Sequence, residues 1–341
     1  MSARSLQRAL APTVLALLLV IVVVTMSTLS PYFLSVGNVV SAINLAAPLG
    51  IIAVGMTFVI LIGGIDLSVA STLALSAVSA GLVSEAGSPA AVCIAVPLIV
   101  GALCGLANGW LVSRLALPAI VVTLATMAVY GGLALALSGG RSLTVHPALA
   151  FVGLGTTGGL PTPVVLWVVV VLLAALALSR TALGEYLYAT GTSASAARYA
   201  TLRVRALTLT VYATSGVLSG LAALLVAGMS SSAKSNFGTG FELLAVTVVV
   251  VGGAALTGGR GTLWGTAMAT VFIALLNNGM SIAFVPTEVQ TLFVGVTLIV
   301  TASIYRWTPP MLTRLAARRQ AAPSRSGGAA APGEIPAPTS A

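Results

Sequence analysis

The stretch from Gly63 to Ser71, GGIDLSVAS, holds the side chain best placed to do chemistry in this chain. Asp66 lies inside it and is the sole charged residue between Arg8 and Glu85. A carboxylate at the centre of a membrane costs about 2.5–3.5 kcal/mol, so such a residue usually faces a cavity or a partner group. Our preferred interpretation is that Asp66 caps the helix that follows, its carboxylate meeting the free amides there. The alternative is direct contact with a ligand.

Glycines surround Asp66 and recur in a second stretch. Gly63 and Gly64 precede it and Ser68 follows it, whereas Gly252–Gly265 reads GGAALTGGRGTLWG. Glycine permits a chain reversal or a close approach of two backbones. Neither stretch follows a strand or has dinucleotide-binding spacing, so neither predicts a phosphate cradle. We interpret both as helix breaks; the residues concerned are Gly63, Gly64, Asp66, Ser68, Gly258, Gly259 and Gly261.

The residues of enzyme active sites do not form a constellation in this sequence. His146 is the sole histidine and is expected to be a solvated side chain, and the six acidic residues are scattered. Cys93 and Cys104 are eleven positions apart, about 16 Å along a helix, which is too far for a disulfide bond. We therefore predict no metal site, no nucleotide or other cofactor bound by this chain, and no catalytic activity of its own.

Arg180 to Arg205 is an island of charge between two uncharged apolar tracts. Gly191 can end a helical turn, and the Ser193 hydroxyl can cap a new helix from Ala194 to about Leu202. The pattern predicts a water-exposed loop that carries a short surface helix. A plain solvated connection between two helices is the alternative.

The elements that position these residues follow from composition. Hydrophobic residues make up 58% of the 341 residues and charged residues 6%, with mean hydropathy +1.10. These values exclude a soluble globular protein, and continuous rather than alternating apolar runs exclude a β-barrel. We predict an all-α polytopic membrane protein with about ten spans, some broken or re-entrant. The spans are expected at about 10–29, 36–62, 67–83, 90–112, 118–137, 164–178, 206–227, 243–256, 262–284 and 289–305, with a loop over 138–163.

Charge placement predicts the orientation. With both termini in the cytoplasm, thirteen of the fifteen basic residues fall on the cytoplasmic side, and Arg141 and Lys234 fall outside. The net charge of +9 is then explained by topology rather than by nucleic-acid binding. The predicted organisation is a cytoplasmic N-terminus (1–9), a transmembrane domain in the plasma membrane (10–306) with a cytoplasmic loop (180–205), and a basic then disordered cytoplasmic tail (307–341).

Several motifs in order support a family resemblance. GGIDLSVAS is followed by the NG pair at Asn108, LPAIVVTLATM, ATGTSASAARYA, FGTGFELLAV, GGAALTGGRGTLWGT and the NNG at Asn277. From about Asn38 to Arg306 the chain resembles the permease subunits of ATP-binding-cassette importers for ribose, xylose, galactose and related monosaccharides. These belong to a superfamily shared with permeases for branched-chain amino acids.

The resemblance implies partners and site residues. A second permease copy, two cytoplasmic ATPase subunits that use the ATP, and an extracytoplasmic sugar-binding protein are expected. The loop over 180–205 corresponds to a coupling loop, and small Ala196 and Ala197 are expected deepest in the ATPase groove. The coupling residues are Gly184, Glu185, Gly191, Ser193, Ala196, Ala197, Arg198 and Tyr199. The expected substrate path includes Asn44, Asn108, Thr123, Asn277 and Asn278.

Three alternatives stay open. The chain could be an importer permease for branched-chain amino acids or nucleosides, or an ion-coupled secondary transporter. The last needs ion-coupling groups in mid-membrane, for which Asp66 is the sole candidate.

Overall fold

The protein is a bundle of apolar helices with four two-residue strands in its loops. The computed structural model describes the backbone of residues 3–321 and the side chains of residues 12–305. The helices are α1 Ala3–Leu29, α2 Val36–Leu61, α3 Val69–Glu85, α4 Ala90–Arg114, α5 Ala119–Ser138, α6 Pro147–Leu154, α7 Thr162–Arg180, α8 Ala182–Thr192, α9 Ala194–Tyr199, α10 Val204–Ser230, α11 Phe241–Val251, α12 Leu263–Ile282 and α13 Thr287–Ala321. The strands are β1 Leu143–Thr144, β2 Thr156–Thr157, β3 Leu160–Pro161 and β4 Ser232–Ala233.

Ten of these helices account for the ten predicted spans. Within the described residues, eight are long and apolar enough to cross a membrane, and α3 and α11 are shorter apolar helices of 17 and 11 residues. An 11-residue helix is about 17 Å long, which is short of a 30 Å hydrocarbon core. The all-α polytopic fold is confirmed, and α11 is the broken segment expected in span eight.

The interior of the bundle is formed by α2, together with α3, α10, α11 and α12. Buried residues make up 78% of the most apolar window of α2, against 11% in α1 and α13. Helices α4 and α10 cross in backbone contact, because a Cβ at Gly105 would collide with the Tyr212 carbonyl and one at Gly216 with the Gly101 carbonyl. Small residues four apart are the usual device for such close crossings inside a membrane. Cys93 and Cys104 are free, as their spacing predicted, and both are buried.

One end of the bundle is formed by the segment after α5 and the segment after α10. Strands β1 and β4 pair antiparallel, with Leu143 opposite Ala233. Glu85, at the end of α3, accepts both hydrogen bonds of a bidentate pair from Arg141 at 2.7 and 3.0 Å, which raises the pKa of the guanidinium. We call this end the strand end.

The predicted loop over 138–163 contains a short helix and three of the four two-residue strands. It contains α6, whose N-terminus is capped by His146: the Nδ1 atom accepts a hydrogen bond from the Ala148 amide at 3.1 Å. His146 is half-buried, so the expectation of a solvated side chain is wrong. β2 and β3 form a hairpin that closes the loop.

The polar island over 180–205 is mostly helical. Its first half forms α8, where a loop was predicted, and α9 ends at Tyr199 rather than near Leu202. At the C-terminus, α13 continues through the basic segment to Ala321. The rest of the predicted disordered tail lies outside the described residues.

Candidate functional site

The first helix break lies between α2 and α3 and is built on two glycines. Gly63 adopts a left-handed backbone with φ of +82°. Gly64 lies against α10, since a Cβ there would be 2.7 Å from the Tyr212 hydroxyl. Glycine is therefore favoured at position 63 by the backbone conformation and at position 64 by the close packing.

The second break lies between α11 and α12. Gly258, Gly259 and Gly261 have φ of +86°, +72° and +156°, and the Ala255 amide donates to the Arg260 carbonyl at 2.9 Å to close the turn. Thr262 caps α12 by accepting from the Gly265 amide at 3.1 Å. The second break is therefore a tight backbone loop between two buried helices.

The two breaks meet each other and the end of α8. The Gly259 amide donates a hydrogen bond to the Leu61 carbonyl at 2.9 Å. A Cβ at Gly258 would be 2.8 Å from the Gly63 amide nitrogen and 3.0 Å from the Gly191 carbonyl oxygen. A Cβ at Gly191 would collide with the Leu61 carbonyl and the Gly259 amide. We call this contact of three backbones the glycine junction (Leu61–Gly63, Gly191 and Gly258–Gly259).

The role expected for Gly191 is corrected by this geometry. Gly191 lies inside α8, which continues through Thr192, so it does not end a helix. Its missing side chain is what allows α8 to touch the two breaks. The sequence pattern could not indicate this, because the partners are 130 and 68 residues away.

α8 is held to the second break by a side chain as well. The Tyr188 hydroxyl donates to the Gly261 carbonyl at 2.8 Å, and burial raises the pKa of this phenol, which favours the donating form. Gly184 is buried against the Leu178 carbonyl at the end of α7, whereas Glu185 is exposed. Thus one face of α8 packs on the bundle and the other faces solvent.

α9 follows directly and is capped as predicted. The Ser193 hydroxyl accepts from the Ala196 amide at 3.2 Å. Ala196, Arg198 and Tyr199 are exposed, Tyr199 by 91%, but Ala197 is 4% exposed. Ala197 therefore packs on its own chain, and the expectation that it sits deepest in a partner's groove is wrong. The free face of α9 carries Ala196 and Tyr199.

Asp66 does not cap α3. The cap position is Ser68, and the Asp66 Oδ1 atom accepts from the Ser68 amide and hydroxyl at 3.1 and 2.7 Å, before the helix begins. The Oδ2 atom accepts from the Ser215 hydroxyl of α10 at 3.1 Å. With 2% of its surface exposed, Asp66 is a buried node that joins the first break to α10.

Asn108 and Thr123 belong to the same network. The Asn108 amide donates to the Ser68 hydroxyl at 2.7 Å, and its carbonyl oxygen accepts from Tyr130 of α5 at 3.3 Å. Thr123 donates to the Ile65 carbonyl at 3.1 Å. Helices α4 and α5 are therefore bonded to the first break, and contact of Asn108 or Thr123 with substrate stays a prediction.

The other predicted path residues lie on α2 and α12, away from the junction. Asn278 and Asn38 exchange amide hydrogen bonds at 2.8 and 3.1 Å. The Asn44 Oδ1 atom is buried without a hydrogen-bond partner, and Asn277 is half-buried. The structure thus divides the predicted path residues into two groups, one beside Asp66 and one near the start of α2.

Tyr188, Tyr212 and Ser215 were missed by sequence reasoning. Each is a polar side chain that contacts a break, but hydroxyl residues are common in these apolar helices. Composition alone does not separate them from hydroxyls that bond within their own helix. No group of three or more metal-binding side chains occurs within the described residues.

These features define a multi-pass helical membrane protein of the permease class, with broken helices joined to an exposed surface helix. The chain belongs to the family described as branched-chain amino acid transport system / permease component, which it matches over residues 38–302. No solved structure matches it.

Relatives of known name cover most of the chain. An autoinducer 2 import system permease protein LsrD from Photorhabdus laumondii is 36% identical over 84% of this chain and 88% of its own length. The protein of the same name from Yersinia pseudotuberculosis is 38% identical over 74% and 78%, and that from Salmonella paratyphi A 33% identical over 84% and 88%.

Proposed function

We propose that this chain is the membrane-spanning subunit of an ATP-binding-cassette importer that carries a monosaccharide across the plasma membrane. The observation that supports this most is the glycine junction, where the segment carrying α9 contacts both helix breaks. A displacement of α9 by a partner would then act, through Gly191 of α8, on the backbones at the end of α2 and at the second break.

The energy for transport is supplied by a partner in this proposal. A partner can shift the permease between two conformations only through contacts that differ between them. The exposed face of α9, with Ala196, Arg198 and Tyr199, is the proposed contact for a cytoplasmic ATPase subunit. This chain itself binds no cofactor, and it works with a second permease copy.

The orientation follows from charge. The junction end carries Arg180, Arg198, Arg203, Arg205 and Arg260, whereas Arg141 and Lys234 lie at the strand end. Excess arginine favours the cytoplasmic side, so we place the junction and both termini there. An extracytoplasmic binding protein then docks at the strand end.

Asp66 argues against an ion-coupled secondary transporter. Its carboxylate accepts three hydrogen bonds and is 2% exposed, which suits a packing role better than an ion-binding group that faces a cavity. Among substrates, autoinducer 2 is the second candidate, because the relatives above are named for its import. Branched-chain amino acids and nucleosides rank below these two.

Uptake in proteoliposomes tests the proposal. The chain is reconstituted with its proposed ATPase and binding-protein partners, and uptake of ribose, xylose, galactose, autoinducer 2 and leucine is measured. We expect uptake of a monosaccharide that requires ATP and the binding protein and persists when ionophores dissipate ion gradients. Uptake abolished by ionophores would indicate secondary transport. Uptake of autoinducer 2 alone, or of leucine alone, would show that the substrate is not one of the monosaccharides tested.

A further inference from the structure

An apolar cavity opens on the side of the bundle between α2, α7, α8 and α10. Its volume is about 260 Å³, and its walls include Phe58, Ala174, Ala177, Leu187 and Leu218. These walls are almost entirely apolar, and a space of this kind is a poor site for water.

A second cavity, of about 370 Å³, adjoins the first at Thr210, which lines both. This second cavity is more polar and is lined by Tyr186, Thr201 and Arg203. Within residues 12–305, Arg203 has no carboxylate at salt-bridge distance, so its positive charge is available to a ligand.

The depth of the two cavities fits one kind of ligand. α10 begins at Val204, and at 1.5 Å per residue Thr210 lies about 9 Å and Leu218 about 21 Å along it. One leaflet is about 20–22 Å thick with its headgroup region, and about 15 Å of that is hydrocarbon. With the start of α10 at the membrane surface, Thr210 lies just below the headgroups and Leu218 lies close to the midplane. The apolar cavity therefore lies at the depth of acyl chains, and the cavity beside Arg203 lies at the depth of headgroups.

We propose that these joined cavities bind an anionic phospholipid, with an acyl chain in the apolar cavity and the phosphate beside Arg203. Anionic lipids are attracted to basic residues at the cytoplasmic surface, and basic pockets between helices bind their headgroups. Because α8 walls both cavities through Leu187 and Tyr186, the lipid contacts the helix that forms the glycine junction. The site is independent of which substrate is carried.

Native mass spectrometry of the full-length purified chain tests the site, with palmitoyl-oleoyl phosphatidylglycerol and the zwitterionic phosphatidylcholine as probes. We expect wild type to retain phosphatidylglycerol more strongly. Arg203→Gln should reduce that preference about fivefold, while Arg114→Gln, an exposed arginine at the same end, should not.

Substitutions that fill the apolar cavity provide a second test of the lipid site. Ala177→Trp should lower retention of both lipids, whereas Leu176→Trp, where the leucine is 56% exposed on the outer side of α7, should not. Thr210→Trp fills the cavity from the opposite wall and should reproduce the loss if Ala177→Trp does not fold. Equal retention of the two lipids by wild type, or matched losses in test and control variants, would overturn the proposal. A disulfide formed between two copies through Ala177→Cys would do so as well, because a second copy would then occupy the cavity.

Discussion

Gly191→Ala tests the glycine junction with a single methyl group. The new Cβ would land on the hydrogen bond between the Gly259 amide and the Leu61 carbonyl, and backbone atoms cannot rotate away as a side chain can. Overpacking of this kind costs about 1–3 kcal/mol, and loss of the hydrogen bond adds about 0.5–1.5 kcal/mol. Alanine is favoured over glycine inside a helix by about 1 kcal/mol, which offsets part of this. The expected net destabilisation is about 0.5–3.5 kcal/mol.

Gly132→Ala is the matched control. Gly132 lies in α5, and a Cβ added there would have no atom within 4 Å apart from its chain neighbours and its own helix backbone. The preference of helices for alanine over glycine therefore acts alone, and a small stabilisation is expected. Thermal unfolding of the purified permease gives the stability difference, and ATP hydrolysed per substrate imported in the reconstituted complex gives the coupling. We expect Gly191→Ala to lower the stability and Gly132→Ala to raise it slightly, and we expect Gly191→Ala to hydrolyse more ATP per substrate imported. Equal stability and coupling in the two variants would refute the junction as a close contact.

Three further predictions concern the polar network and α9. Asp66→Asn keeps the oxygen that accepts from Ser68 and should lower the free energy of unfolding by about 1 kcal/mol, whereas Asp66→Leu leaves buried hydroxyls unpaired and should lower it by at least about 3 kcal/mol. Equal losses of the two variants in thermal unfolding would contradict the network. Ala197 is buried, so Ala197→Trp should destabilise the isolated permease by about 1–3 kcal/mol, whereas Ala196 is exposed, so Ala196→Trp should keep the stability and prevent co-purification of the ATPase. The reverse pattern would show that the buried and exposed faces of α9 are assigned the wrong way round. Ser193→Cys should react with a membrane-impermeant maleimide from the cytoplasmic side, and labelling from outside alone would overturn the orientation.

The spans were predictable because their signal is local. Apolar runs end at Gly, Pro or charged residues, so α2 was expected at 36–62 and is found at Val36–Leu61. The Ser193 cap was predictable for the same reason, since a hydroxyl and an amide three residues on are enough to define it.

The roles that depend on distant partners were not predictable. Asp66 was predicted to be a cap because it lies just before α3, but the Ser215 hydroxyl that bonds it to α10 is 149 residues away. α8 looked like a loop because its sequence is polar and contains two glycines. It is a helix because Leu187 and Thr190 are buried and Tyr188 bonds to the second break, and a tertiary contact of this kind overrides local propensity.

The glycines of the junction also bear on how a contact there transmits movement. Where two helices meet through long side chains, rotamer changes can absorb a small displacement before the backbones respond. At Gly191 and Gly258 no side chain intervenes, and the backbones at Leu61 and Gly259 are bonded directly. A displacement of α8 must therefore move the end of α2, the second break, or both. Because Asp66 lies in the first break and bonds to α10, the same movement reaches a helix in the middle of the bundle. A motion at the surface helix can thus alter the packing of the spanning helices without any ligand bound near it, which is the mechanical requirement for transport driven by a partner.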